Sequence, residues 1–121
     1  SYTKFEYGNL KLASDMLTVG GELLVTVDLK NTGRYDGVEV VQLYIQDKIG
    51  SVTRPAKELK AFRRVALKAG ESTVVSFSLL VSELAFWGYD MTYGVEPGDF
   101  RLWLGTSSAE GLSADFTVAA R

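Results

Sequence analysis

The chain has 121 residues, 46% of them hydrophobic and 23% charged, a balance typical of a folded globular domain. Thirteen basic and fifteen acidic side chains leave a formal net charge of −2, without the basic surplus of nucleic-acid-binding domains. Cysteine and histidine are both absent, which excludes disulfides, thiolate or Ser-His-Asp catalysis, and Cys- or His-ligated zinc within the chain. We therefore expect one domain over residues 1–121, without nucleic-acid partner, metal or cofactor.

The first half of the chain alternates apolar and polar residues with the period of β-strands. Residues 4–13 are predicted to form an edge strand with a bulge at Gly8. Residues 22–30 give the clearest strand, which is predicted to bury Leu23, Val25, Val27 and Leu29. After a turn at 31–33, residues 38–46 are predicted to bury Val41, Leu43 and Ile45.

The second half continues in the same way. Residues 58–67 are predicted to form a strand that places Leu59 in phase with Ala61, Val65 and Leu67, with a bulge or change of sheet near 62–64. Residues 72–80 alternate again, residues 82–85 allow at most one helical turn, and 86–93 indicate a short hairpin. The last strands are predicted around Phe100–Leu104 and Leu112–Val118.

Seven or eight short strands, with turns about every 8–12 residues, are typical of an all-β, two-sheet antiparallel β-sandwich. The sequence contains no amphipathic helix long enough to cover a parallel sheet, and no apolar run of the roughly 20 residues needed to span a membrane. We therefore predict an immunoglobulin-like sandwich without a membrane partner.

Four sequence blocks carry a specific resemblance. N-T-G-x-x-x-G-x-E-V-V-Q-L-Y runs from Asn31 to Tyr44, and R-P-x-K-E-L-K-x-F runs from Arg54 to Phe62. L-K-A-G-E-S at 67–72 and V-E-P-G-D-F-R-L-W-L-G-T-S at 95–107 complete the pattern. Together they resemble the C-terminal fibronectin type III-like domain of glycoside hydrolase family 3 enzymes, the β-glucosidase family, and the likeness covers essentially the whole chain.

The resemblance implies a non-catalytic accessory domain that packs against the catalytic domains of a retaining β-glucosidase-like parent. Residues 1–3 would then be the tail of the linker from the catalytic body. The parent's substrate, linkage preference and organism stay open, as do the oligomeric state and the compartment, for which the resemblance suggests the periplasm or the exterior.

No catalytic residue is carried over, because the family's nucleophilic Asp and acid/base Glu belong to upstream domains whose motifs are absent here. Glycoside hydrolysis requires a pair of carboxylates that flank the sugar. Most carboxylates of this chain are instead predicted at turns or strand ends, where solvated or capping roles are the norm. They include Asp15, Asp36, Asp47, Glu71, Asp90, Asp99 and Glu110.

Six residues are candidates for contact with another domain or with a sugar: Tyr44, Asp47, Arg54, Lys57, Glu58 and Trp103. Tyr44 and Trp103 lie on outward phases of their strands, although the alternation leaves open whether they share a sheet. The long loop from Asp47 to Lys57 is expected to be anchored by a partner, and to be mobile without one. The same pattern also fits partly covered surface rings and solvated charges.

Two further groups of residues have open roles. Glu39 and Glu58 either pair with Arg54, Lys57 or Lys60 to fix the loop, or are solvated. The six phenylalanines are predicted at core positions, whereas Trp87, Tyr89 and Tyr35 are predicted outward or in turns; the phenylalanines are Phe5, Phe62, Phe77, Phe86, Phe100 and Phe116.

Three functions fit the predicted sandwich. The first is a structural module of a family 3 enzyme, which predicts an exposed apolar patch that includes Trp103 or Tyr44. The second is a carbohydrate-binding module that holds oligo- or polysaccharide on outward aromatic rings. The third is a free-standing cell-surface adhesion domain, which would share the fold.

Overall fold

The computed structural model describes residues 3–48, 57–84, 86–87, 93–94, 97–107 and 111–119. Ten strands and one 3-10 turn at Val81–Leu84 follow one another along these ranges. The strands are Phe5–Leu12 (β1), Met16–Thr18 (β2), Glu22–Asn31 (β3), Gly37–Asp47 (β4), Glu58–Leu67 (β5), Ser72–Leu80 (β6), Phe86–Trp87 (β7), Tyr93–Gly94 (β8), Gly98–Gly105 (β9) and Leu112–Ala119 (β10). Within the described ranges, no helix is long and apolar enough to cross a membrane.

The strands form a β-sandwich, which confirms the predicted fold class. One sheet has the order β1-β3-β6, the second has the order β2-β10-β9-β4-β5, and β7 pairs with β8 in a small hairpin. All pairings are antiparallel except that of β2 with β10, which is parallel. The strand β2 and its parallel pairing were not predicted, because three residues are too few to show an alternating pattern.

The core lies between the inward faces of the two main sheets. In β3 the side chains of Leu23, Val25, Val27 and Leu29 are buried, as their alternation predicts. β4 contributes Val41, Leu43 and Ile45 from the opposite sheet, again as predicted. Strands β6, β9 and β10 add Val75, Phe77, Leu79, Phe100, Leu102, Leu104, Phe116 and Val118, and the core also includes Leu17, Leu67, Val81 and Leu84.

The predicted bulge of β1 is present close to its expected place. The register of β1 against β3 shifts between Gly8 and Lys11, and Asn9 has a positive φ of 53°. The extra residue restores the alternation, so that Leu10 and Leu12 join Phe5 and Tyr7 against the core. β1 lies at the edge of its sheet, as predicted.

The predictions for β5 need correction. Its register against β4 shifts between the pairs Leu43–Ala61 and Tyr44–Leu59, so the extra residue is Lys60, outside the predicted 62–64. The bulge turns Leu59 outward, where it is 48% exposed, although simple alternation predicted it in phase with Ala61. One extra residue moves every side chain beyond it to the other face of the sheet. Alternation counted without the bulge therefore assigns Leu59 to the wrong face.

A single buried amide joins the two sheets at one end of the sandwich. Asn31, the last residue of β3, is fully buried. Its Nδ2 donates to the carbonyls of Tyr35 (2.8 Å) and Leu67 (3.1 Å), and Leu67 is the last residue of β5. Its Oδ1 accepts from Thr3 Oγ1 (2.6 Å) and from the Gly33 amide (3.0 Å). All four hydrogen-bonding sites of the side chain are therefore used.

The glycines of the same motif make room for the incoming chain. A Cβ on Gly33 would lie 2.8 Å from the backbone nitrogen of Lys4, and one on Gly37 would lie 2.6 Å from Thr3 Cγ2. The Thr32 amide also donates to the carbonyl of Lys4 at 2.8 Å. The spacing N-T-G-x-x-x-G thus describes a turn that holds residues 3–4 against the end of β3.

We predict that Asn31→Ala lowers the free energy of unfolding by about 3 kcal/mol, because buried carbonyls and an amide lose their partners. Urea unfolding with an unchanged m value is the measurement. Ser78→Ala is the control, since the Ser78 hydroxyl is exposed and donates once, to Glu22. Its effect should stay within about 0.5 kcal/mol. Equal effects of the two substitutions would contradict the role given to Asn31.

Candidate functional site

The outward face of the five-stranded sheet brings together the two aromatic rings that the sequence singled out. Tyr44 on β4 pairs directly with Trp103 on β9, and on its other side with Leu59 on β5. Directly opposed residues point to the same face of a sheet, so these three side chains form one row across three strands. The structure thus answers the question left open by the alternation, because Tyr44 and Trp103 share a sheet and are neighbours.

The ring of Trp103 is covered by a cation. Lys57 Nζ lies 3.4 Å from the centroid of the ring, and the guanidinium of Arg101 lies 5.9 Å from it. The indole Nε1 of Trp103 is buried and has no hydrogen-bond partner in the described part of the chain. Both Tyr44 and Trp103 are half-buried, and the Tyr44 hydroxyl donates to Gln42 Oε1. Lys57 therefore occupies a ring face on which a sugar would otherwise stack.

Of the remaining candidate residues, Glu58 lies next to Leu59 on β5. Glu58 Oε1 forms an ion pair with Lys60 Nζ at 3.2 Å, one of the pairings that the sequence left open. Lys60 is the bulged residue, and its side chain is only 11% exposed. Asp47 is buried at the end of β4. Arg54 and the centre of the long loop lie outside the described residues.

Glu39 does not join that cluster. Its side chain is buried on the inward side of β4, and its Oε2 accepts a hydrogen bond from the Tyr7 hydroxyl at 2.8 Å. Tyr7 belongs to β1 of the other sheet, so the bond crosses the sandwich. Burial and the adjacent Glu39 carboxylate raise the pKa of the Tyr7 hydroxyl well above its ordinary value. Glu39 is thus a structural partner between the sheets.

A charged group borders the aromatic row on β9 and β10. Asp115 pairs across the strands with Arg101, whose Nε donates to Asp115 Oδ1 at 2.7 Å. Lys48 Nζ lies 3.1 Å from Asp115 Oδ2. The hydrogen bonds from Arg101 and Lys48 lower the pKa of Asp115 to about 2. The carboxylate is therefore held ionised by two cations, which is the opposite of the raised pKa that a general acid needs.

The structure confirms most of the predicted aromatic positions that it describes and corrects that of Phe62. Phe100 and Phe116 are buried and stack with their ring centroids 5.4 Å apart, and Phe77 is buried as well. Phe62 was predicted in the core but is 62% exposed on β5. Tyr35 is exposed, as expected. The side chains of Phe86, Trp87 and Tyr89 lie outside the described residues.

Phe62 and Leu59 are exposed on the same face for different reasons. Phe62 pairs with Gln42, an outward residue of β4, as its alternation with the inward Ala61 requires, while the bulge at Lys60 directs Leu59 to that face as well. The core position predicted for Phe62 followed from its aromatic character and not from its phase. The motif R-P-x-K-E-L-K-x-F contains both residues, but the motif does not indicate to which face of the sheet their side chains point.

The described residues offer no arrangement for metal binding, since no group of three or more acidic side chains among them could hold an ion. The site is therefore a surface made of one aromatic row, two outward apolar side chains and paired charges. Its fold and contents define a β-sandwich domain of the immunoglobulin-like class.

Comparison with known proteins places this domain in a family. The profile described as "Fibronectin type III-like domain" matches residues 39–108. A periplasmic β-glucosidase of Salmonella typhimurium is 38% identical over 98% of this chain, which covers 15% of that protein. A putative β-xylosidase of Formosa agariphila is 42% identical over 98% of the chain and 16% of its own length.

A solved structure gives the same result. The crystal structure of a β-glucosidase from Listeria innocua in complex with glucose superposes with a TM-score of 0.85 and 40% identity, over 98% of this chain and 16% of that one. The chain belongs to the fibronectin type III-like family, as the C-terminal, non-catalytic domain type of glycoside hydrolase family 3 enzymes. It spans about one-sixth of the length of the proteins it matches.

The pKa of Asp115 generates a prediction about acid stability. Its folded-state pKa of about 2 lies below the ordinary 3.8, so its contribution is present above pH 3.8 and is lost as the pH falls towards 2. Asp115→Asn should make the unfolding midpoint in urea less dependent on pH in that interval. The control is Asp28→Asn, because Asp28 has one long contact, with Asn9 at 3.3 Å. If both variants keep the wild-type pH profile, the pairing does not stabilise the fold.

Proposed function

We propose that this chain is the accessory domain of a family 3 glycoside hydrolase, in which it packs against the catalytic domains and stabilises them. The observation that carries the proposal is coverage: 98% of the chain aligns to only 15% of a β-glucosidase. The enzyme's remaining length is where its chemistry must reside. As proposed, the chain forms one domain over 1–121, and residues 1–3 continue into the linker from the catalytic body.

The contacts of the ionised groups support a role without chemistry. Asp115 is neutralised by Arg101 and Lys48, and Glu39 is engaged by Tyr7. The proposed parent removes terminal β-linked sugars from glycosides. A glycoside hydrolase of this kind needs one carboxyl group with a raised pKa beside a carboxylate nucleophile.

The choice of sugar is proposed to lie outside this domain. Relatives at 38% and 42% identity carry the names of two activities, β-glucosidase and β-xylosidase. A domain that supports the enzyme's fold can serve both activities, because it need not contact the sugar.

A carbohydrate-binding role is the second candidate, and one observation favours it. Tyr44 and Trp103 lie side by side on one sheet face, which is the arrangement that stacking on sugar rings requires. Against it, Lys57 Nζ sits 3.4 Å from the Trp103 ring centroid. Displacing the ammonium would forfeit a cation–π contact worth about 0.5–2 kcal/mol. We therefore place support of the catalytic domains first.

The test compares the full-length enzyme with a form that lacks residues 3–121. We expect the truncated enzyme to lose activity at a lower temperature, with KM little changed for the fraction that remains folded. Purified domain added in trans should restore part of the lost stability. Unchanged thermal inactivation together with a raised KM for long oligosaccharides would contradict the proposal.

A titration of the isolated domain separates the two candidates. Backbone amide NMR spectra are recorded with cello-, xylo- and laminari-oligosaccharides at millimolar concentration. The accessory role predicts no localised shifts. Saturable shifts confined to Tyr44, Lys57 and Trp103 would establish the binding module instead.

A further inference from the structure

We infer that the outward face of β5 and β4, centred on Leu59 and Phe62, is the surface that contacts the catalytic domains. This inference rests on the proposed function and names the face through which it is exerted. We call this surface the β5 face; its members are Tyr44, Leu59, Phe62 and Trp103. The profile match over 39–108 includes all of them.

The apolar side chains of the β5 face adjoin one another. Leu59 is 48% exposed and pairs with Tyr44, which in turn pairs with Trp103. Phe62 is 62% exposed and lies two positions along the neighbouring strand, opposite Gln42. Diagonal neighbours in a sheet are within reach of aromatic side chains. The result is an apolar strip across β5 and β4 that ends on β9 at Trp103, whose ring is covered by Lys57.

The outward face of the three-stranded sheet is different, although it also exposes large apolar residues. Leu24 is 44% exposed, Leu80 50% and Val74 61%. Each of them is directly opposed by a polar residue, since Leu24 pairs with Ser78, Leu80 with Glu22 and Val74 with Asp28. Leu24 and Leu80 are diagonal neighbours, but none of these three residues is directly opposed by an apolar one. On the β5 face, by contrast, Leu59, Tyr44 and Trp103 are directly paired in one row, and a contiguous apolar group of this kind is typical of an interaction site.

The bulge at Lys60 brings Leu59 to the same face as Phe62. In a regular strand, Leu59 and Phe62 would point to opposite faces, because they are three residues apart. The extra residue directs both outward, while Ala61 stays on the inward side. Bulges commonly re-aim a side chain next to a functional surface. Here the local structure removes a leucine from the core phase and leaves it 48% exposed, available for contact with another molecule.

The occupant that fits is the rest of the enzyme. The solved β-glucosidase has 84% of its length outside the region that this chain matches, because the match covers 16% of it. Contact between domains of one chain usually buries a modest, mixed surface, and the β5 face has that character. Arg64 lies outward beside Phe62, opposite Val40, and the charged partner we expect for it is a carboxylate on the catalytic side.

Hydroxyl-radical footprinting tests the inference by side chain. The isolated 121-residue domain and the full-length enzyme are exposed to the same radical dose, and the modification rate of each residue is compared. We expect the rates of Leu59 and Phe62 to fall severalfold in the full-length enzyme. Leu24, Leu80 and Val74 are the matched controls, since their exposed fractions are similar, and their rates should not change.

The other outcomes are distinguishable. Protection of Leu24 or Val74, with Leu59 and Phe62 unchanged, would overturn the inference and leave the accessory role in place, with a different docking face. If none of the five rates differs between the isolated domain and the full-length enzyme, the inference is overturned, and the truncation experiment alone decides the proposed function. Protection of Leu59 and Phe62 that already appears in the isolated domain on concentration would identify a second copy as the occupant, and would overturn the inference.

A pair of variants provides the second readout. Leu59→Ser with Phe62→Ser should leave the unfolding temperature of the isolated domain nearly unchanged, because both side chains are exposed there. In the full-length enzyme the same pair should lower the temperature of inactivation. Leu24→Ser with Val74→Ser is the control and should change neither. Equal effects of the two pairs in the full-length enzyme would contradict a specific role for the β5 face.

Discussion

The fully satisfied amide of Asn31 is the interaction on which the rest of the structure depends. It lies at the end of β3, and it holds the last carbonyl of β5 in the other sheet, the turn at Tyr35 and the hydroxyl of Thr3. An unpaired buried amide would cost free energy, so the surrounding backbone has one arrangement that meets all four needs. The relative position of the two sheets at this end therefore follows from one side chain.

The same turn fixes the position of residues 3–4 against the end of β3. Residues 3–4 pass over Gly33 and Gly37, which have no side chains to obstruct them. The backbone of Asn31 extends the connection to the β5–β6 turn, because its amide donates to Glu71 and its carbonyl accepts from Gly70. Residues 3–4 are therefore tied, through Asn31, to strands of both sheets.

A second constraint acts on the outward surface. The row Leu59–Tyr44–Trp103 depends on the pairing of β4 with both β5 and β9, and on the bulge that Lys60 introduces. Lys57 and Arg101 flank the indole of Trp103 with positive charge. Asp115 in turn balances Arg101, so the strip is apolar at its centre and charge-paired at its rim. This distribution is characteristic of surfaces that contact other proteins.

The sequence predicted those parts of the fold that obey a strict period. Alternation identified the strands later seen as β3, β4, β6 and β9, together with their buried faces, because burial on one face imposes period two. It failed where the period is interrupted, at the bulge of β5, and where a strand is too short to show one, at β2. Phe62 was misplaced because aromatic character was read as burial.

The candidate site was predicted in part. Outward phases identified Tyr44 and Trp103, but adjacency across strands depends on sheet order, which local pattern does not contain. The partner of Glu39 is Tyr7, 32 residues earlier in the chain, and no local pattern links them. The ion pair of Glu58 with Lys60 was among the predicted possibilities, because two residues of spacing keep the partners close.

Hydrogen–deuterium exchange measures the central role of Asn31 most directly. The Thr32 amide donates to the Lys4 carbonyl, and the Gly70 amide donates to the Asn31 carbonyl. The Gly33 amide donates to the Asn31 side chain. If the Asn31 turn unites the fold, these amides should exchange only through global unfolding, with the same free energy as the amide of Val27 in the core. The Gly21 amide, which closes an ordinary turn onto Thr18, should exchange by local opening. Exchange of Thr32, Gly33 and Gly70 as fast as that of Gly21 would contradict the claim.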